Sequence, residues 1–137
     1  MVINRIKTIA RQIKQETIES RRHLHAHPEL SFQEHQTVAF VEKTLRAFGI
    51  NLLEKKAETG LVALVEGKNP GKKTVALRAD MDALPIIEQN EVSYKSQNHG
   101  VMHACGHDVH TASLLGAAKI LHEIRDEFEG TVKLIFQ

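Results

Sequence analysis

Ile3, Ile6, Ile9, Ala10, Ile13 and Thr17 recur at intervals of three and four residues, which puts them on one face of a helix and leaves Arg5, Lys7, Arg11 and Lys14 outside. The pattern predicts one first helix that ends before Pro28. Ser31 and Glu34 have the spacing of a capping box, and Val38, Val41, Leu45 and Phe48 form the apolar stripe of a second helix that Gly49 stops. The period then changes. Leu61 to Val65 is a short apolar run between Gly60 and Gly67, as in a buried strand. Lys68-Asn69-Pro70-Gly71 is a turn, and Thr74 to Ala79 reads as another buried strand that delivers Asp80 and Asp82 at its carboxyl end before Pro85 closes the segment. Residues 88 to 106 are polar and read as a loop, with a short strand near Val92 to Tyr94. Ala112, Leu115, Ala118, Leu121 and Ile124 predict a helix from Asp108 to about Arg125, with Asp108 at its N-cap or first turn, and Thr131 to Phe136 is a last strand.

Helices interleaved with buried strands predict an α/β fold: a mixed, mostly parallel sheet flanked by helices. The last strand is followed by a single residue, with no capping helix or tail. The sequence is therefore expected to be a piece of a larger α/β domain, incomplete at its C-terminus, with apolar surface bare around Val132, Leu134 and Phe136.

Composition narrows the function classes. The 137 residues are 42% hydrophobic and 26% charged, with 18 Lys+Arg against 17 Asp+Glu. The two signs are interleaved and aromatics make up only 4%, so neither a nucleic-acid nor an anionic-membrane face is expected. No apolar run approaches the roughly 20 residues of a membrane span, and the first residues lack the apolar core of a secretion signal. Cys105 stands alone, which excludes a disulfide framework and fits a reducing, cytoplasmic setting. One thiol among nine histidines directs attention to metal or nucleophile chemistry.

Eight of those histidines fall into two windows, His23, His25, His27 and His35, then His99, His103, His107 and His110. The second window packs His103, Cys105, His107, Asp108 and His110 into eight residues where a loop meets a helix start. Thiolate and imidazole suit zinc and other late first-row metals. Three readings of this window stay open: a metal site, polar packing, or a Cys105 nucleophile with His107 or His110 as its base. Chelator sensitivity marks the first, and thiol alkylation that abolishes turnover marks the last. Asp80 and Asp82 could hold a metal or orient a histidine, or simply form a turn. His23 and His27, four apart, fit a polar helix end better than a chelating pair.

Three segments taken together are more specific: Arg21-Arg22-His23-Leu24-His25-Ala26-His27-Pro28-Glu29-Leu30-Ser31-Phe32 with Glu34, then Leu77-Arg78-Ala79-Asp80-Met81-Asp82-Ala83-Leu84-Pro85, then Met102-His103-Ala104-Cys105-Gly106-His107-Asp108. Their order and spacing resemble the N-terminal part of the metal-dependent N-acyl-amino-acid amidohydrolases. That group includes aminoacylases, hippurate hydrolases and indole-acetyl-amino-acid hydrolases, and is related to zinc carboxypeptidases and deacetylases. The resemblance implies that residues 1–137 are the first segment of a catalytic domain, with an inserted dimerising domain and a C-terminal catalytic segment lying outside it.

The same resemblance carries over particular residues. Cys105 and His107 match two metal ligands. Asp80 matches an aspartate that supports a metal-binding histidine in a His-x-Asp pattern, although Arg78 stands here in place of that histidine. The family's next motif, with a general-base glutamate and a further ligand, follows a strand like Lys133 to Gln137, so these residues alone are expected to be inactive and to bind metal weakly. The implied cofactor is a divalent metal, two per intact site, zinc or manganese, with cobalt or nickel as further candidates. The implied substrate is a small N-acyl amino acid, and the intact protein is expected to be a homodimer or larger. The competing expectation is a standalone, non-catalytic domain that binds metal or a partner.

Overall fold

The computed structural model describes all residues from Met1 to Gln137. Two helices, α1 (Val2–Gln12) and α2 (Lys14–Ala26), replace the single first helix predicted. The i to i−4 bonds continue through the junction, from Ile13 to Ile9 and from Thr17 to Ile13, each 2.9 Å. Ile13 itself, at φ −86° and ψ 0°, lies at the edge of the right-handed helical region and is buried with Ile9 and Ile124. α2 stops at Ala26, two residues before Pro28, as the residue before a proline is driven out of the helical region.

α3 (His35–Ala47) occupies the second predicted helix, and Gly49 ends it at φ +86°. Its cap is not the expected Ser31–Glu34 box. Glu34 makes no capping bond; instead the Glu29 carboxylate accepts from the backbone N–H groups of Gln36 (3.1 Å) and Thr37 (2.6 Å) and from the Thr37 hydroxyl (2.6 Å). A charged acceptor anchored five residues upstream satisfies two free amides and meets the positive end of the helix, which leaves the local box without a role.

The strands are β1 (Leu53–Lys56), β2 (Gly60–Glu66), β3 (Thr74–Ala79) and β4 (Thr131–Phe136), in the spatial order β1-β2-β4-β3. The α/β class and the mixed sheet are as expected, but the parallel share is smaller: β3 runs parallel to β4, whereas β1–β2 and β2–β4 are antiparallel. One antiparallel pair comes from β1, too short and polar to be read as a strand, which forms a hairpin with β2; the other is β2 against β4. No strand forms at Val92–Tyr94; the loop there contributes only an isolated bridge between Leu84 and Met102.

β4 is a central strand, contrary to the bare surface expected of it. Leu134 and Phe136 are fully buried between β2 and β3 and under the helices, and the exposed large apolar positions of the strands are Val75 (46%) and Leu77 (39%) on β3, an edge strand. The core forms where Val38, Val41 and Leu45 of α3 and Leu114, Leu115 and Ala118 of α4 (His107–Glu123) meet Leu61, Ala63, Val65, Leu134 and Phe136 of the sheet. α1 and α2 pack outside α4. The turn into β4 depends on Gly130: at φ +93°, an added Cβ would lie 2.4 Å from the Lys73 carbonyl oxygen. No helix is long and apolar enough to cross a membrane.

Candidate metal centre

The carboxyl end of β3 and the start of α4 meet at one point. Backbone pairing with β4 continues past β3, through Met81 N–H to the Gln137 carbonyl at 2.8 Å, so Asp80 and Asp82 leave the sheet in an extended segment with their side chains two residues apart. The Thr111 hydroxyl donates to the Asp80 carbonyl at 2.8 Å and ties α4 to that segment. Gly106, at φ +100°, supplies the left-handed turn from which α4 starts, and His107 and His110, three apart, then lie on one helical face.

These two periodicities bring four side chains together. Asp80 Oδ1 lies 2.7 Å from His110 Nδ1, and Asp80 Oδ2 lies 3.3 Å from His107 Nε2. On the opposite edge of the His107 ring, Nδ1 is 2.9 Å from both the carbonyl and the carboxylate of Asp82. Asp82 offers only acceptors to Nδ1, and Nε2 faces the Asp80 carboxylate. The Asp80 carboxyl lies below its ordinary value: burial raises it, but the His110 bond and the His107 charge lower it further. Arg78, on the same strand, sits 3.5 Å from Asp80 Oδ2.

Asp80, His107 and His110 offer one ligand atom each within 4.8 Å of one another, a carboxylate and two imidazoles of the kind that zinc, manganese and cobalt accept. Of the residues singled out in the sequence, Asp80 and His107 belong to this cluster. Cys105 is exposed on the loop just before α4, and its thiol is not among the converging atoms. His103 is buried with neither ring nitrogen bonded, and that burial pushes its pKa down to about 4. Two residues carry more than sequence reasoning gave them: Asp82, which holds His107, and His110. The signals were the i,i+2 spacing on an extended segment and the i,i+3 spacing on a helix.

Open clefts flank the cluster. One of about 520 Å³ is bordered by Leu77, Asp80, His110 and Leu114, and another of about 470 Å³ by Phe32, Glu34, Arg78, Asp82 and Gln137.

Residues 76–137, which hold all four cluster residues, match the profile of peptidase family M20/M25/M40. Over its whole length the chain is 51% identical to the N-acyl-L-amino acid amidohydrolase of Geobacillus stearothermophilus, covering 37% of that protein. Over residues 76–137 the chain resembles peptidase family M20/M25/M40. A further relative is the N-acetyl-L-cysteine deacetylase of Bacillus subtilis, 47% identical over 91% of this chain and 30% of that one. Among solved structures, a Bacillus subtilis protein described as a dinuclear metal-binding peptidase of the M20 family superposes with a TM-score of 0.85 at 43% identity, over 93% of this chain and 36% of that one. The chain thus spans about a third of the length of these relatives.

Proposed function

We propose that this chain is the N-terminal, metal-holding segment of the catalytic domain of an enzyme that hydrolyses the amide bond of N-acyl amino acids. The observation that carries the reading is the convergence of Asp80, His107 and His110 at the carboxyl end of β3, within the region matching the family profile. The named activities of the amidohydrolase and deacetylase relatives support the substrate class.

In this reading Asp80, His107 and His110 hold divalent metal where the β3 exit meets α4, and Cys105, whose thiol lies outside that cluster on the preceding loop, is proposed as a further ligand. Two divalent metals per intact site follow the dinuclear structural relative, and zinc or manganese suits imidazole and carboxylate donors. Such a cation supplies Lewis acidity that polarises the scissile carbonyl and lowers the pKa of a nucleophilic water. The chain's own residues do the positioning: Asp82 fixes the His107 tautomer and ring plane, and His110 orients the Asp80 carboxylate. In this reading the general-base glutamate lies outside residues 1–137, which by themselves are expected to leave amide substrates uncleaved. The inserted domain and the C-terminal catalytic segment belong to the family-length protein, which we expect to be a cytoplasmic homodimer or larger.

The test is hydrolysis of N-acetyl-L-amino acids by a family-length protein containing this segment, with and without chelator. Chelator-sensitive release of free amino acid, restored by added metal and abolished in His107→Ala, supports the reading. Turnover indifferent to chelator but stopped by alkylation of Cys105 overturns it in favour of a thiol nucleophile.

A further inference from the structure

The first histidine window is left unused by the metal centre, yet one of its members reaches the cluster's foundations. His25, on α2, is 4% exposed and is held at both ring nitrogens by buried carboxylates: Nδ1 lies 2.7 Å from Asp108 Oδ2, and Nε2 lies 2.9 Å from Glu88 Oε1. Asp108 (1% exposed) follows His107 in the first turn of α4 and precedes His110 by two residues; its other oxygen accepts from the Val109 N–H at 3.0 Å. Glu88 (6% exposed) lies six residues after Asp82 on the segment leaving β3, and its second oxygen accepts from the Ser96 N–H at 2.6 Å. Arg21, one helical turn before His25, lies 2.9 Å from the same Asp108 oxygen.

One imidazole thus bonds the two segments that carry the cluster. Two buried carboxylates share one imidazole as partner, and the Arg21 guanidinium lies against the same Asp108 oxygen. Glu88 behaves accordingly: burial raises its pKa, but the Ser96, His25 and Asn90 bonds hold it below the ordinary carboxylate value.

We propose that His25 is a positioning residue for the metal cluster, fixing the first turn of α4 through Asp108 against the segment that follows β3 through Glu88. Its consequence for metal rests on the reading of Asp80, His107 and His110 as metal-holding groups; the bridge between the two segments does not. Removing the bridge frees His107 and His110 to move relative to Asp80 and Asp82, and the loss is read in metal affinity. Changes behind metal ligands weaken binding by about 10- to 100-fold, and His25 acts one bond further out, so about tenfold is expected.

The test uses the metal-free chain labelled with ¹⁵N-histidine, as wild type, His25→Phe and Glu88→Gln, followed by titration with Co²⁺ monitored by visible absorption. In both variants the His107 and His110 ring signals, which report the bonds to Asp82 and Asp80, should shift, and Co²⁺ binding should weaken, by about tenfold in His25→Phe. Folded variants with unchanged ring signals and Co²⁺ affinity overturn the proposal. If His25→Phe fails to fold, Glu88→Gln, which keeps the shape and a neutral acceptor, decides by the same readouts. A wild-type chain that takes up no Co²⁺ counts against the metal reading alone, because the metal-free ring signals still decide the role of His25.

Discussion

His103 sits five residues before the Asp108 turn with its ring buried and both nitrogens unbonded, so its charged form is strongly disfavoured and its pKa falls to about 4. The unfolded chain binds that proton near the ordinary value of 6.5, so between about pH 6.5 and 4 the unfolded state holds more protons than the folded one. The contribution of His103 is thus fully present above pH 6.5 and is lost as pH falls toward 4. A shift of this size corresponds to on the order of 3 kcal/mol. Urea unfolding in the presence of chelator should show stability falling over that window in the wild type, and a markedly flatter profile in His103→Gln; equal slopes would show that the ring is not buried neutral. His107 and Asp80 were legible in the sequence because ligand types were dense around them. The partnership of His107 with Asp82 was not, since it requires knowing that the β3 exit and the α4 start meet.

At the scale of elements, the periodic helices were the most legible, because α3 and α4 each bury a continuous apolar stripe. What failed were features decided by contacts remote in sequence. The Ser31–Glu34 box lost to Glu29, and that substitution of one cap for another makes a quantitative claim. Glu29→Ala removes an acceptor for two backbone amides and one hydroxyl, and should cost about 1 to 2 kcal/mol in urea denaturation. Glu34→Ala, which removes no capping bond, should cost less through the cap; the reverse order would restore the box. β1 was missed for a similar reason: Leu53-Glu54-Lys55-Lys56 has little apolar content, and only its register with β2 makes it a strand.

For the whole molecule, the decisive departure is that β4 is interior and β3 lies at the edge. A strand order cannot be read from apolar runs alone, since Thr74–Ala79 and Thr131–Phe136 look equally buried as sequence. The structure separates them energetically. Phe136→Ala should cost about 3 to 5 kcal/mol by emptying the centre of the core, whereas Val75→Thr on the exposed edge should change stability by less than about 1 kcal/mol. Comparable losses in the two variants, measured by denaturant unfolding, would refute the β1-β2-β4-β3 order. This arrangement matters for function because pairing with β4 is what holds the β3 exit, and with it Asp80 and Asp82, against α4.

The most direct measurement is isothermal titration of the chelator-treated chain with Zn²⁺, comparing the wild type with Asp80→Ala and His107→Ala. A metal centre built from these side chains should give a saturable site in the wild type, weakened at least about tenfold in each variant, with their denaturant midpoints well above the titration conditions. A wild type without a saturable site, or Zn²⁺ affinity unchanged in both folded variants, would show that Asp80, His107 and His110 converge for packing rather than for metal.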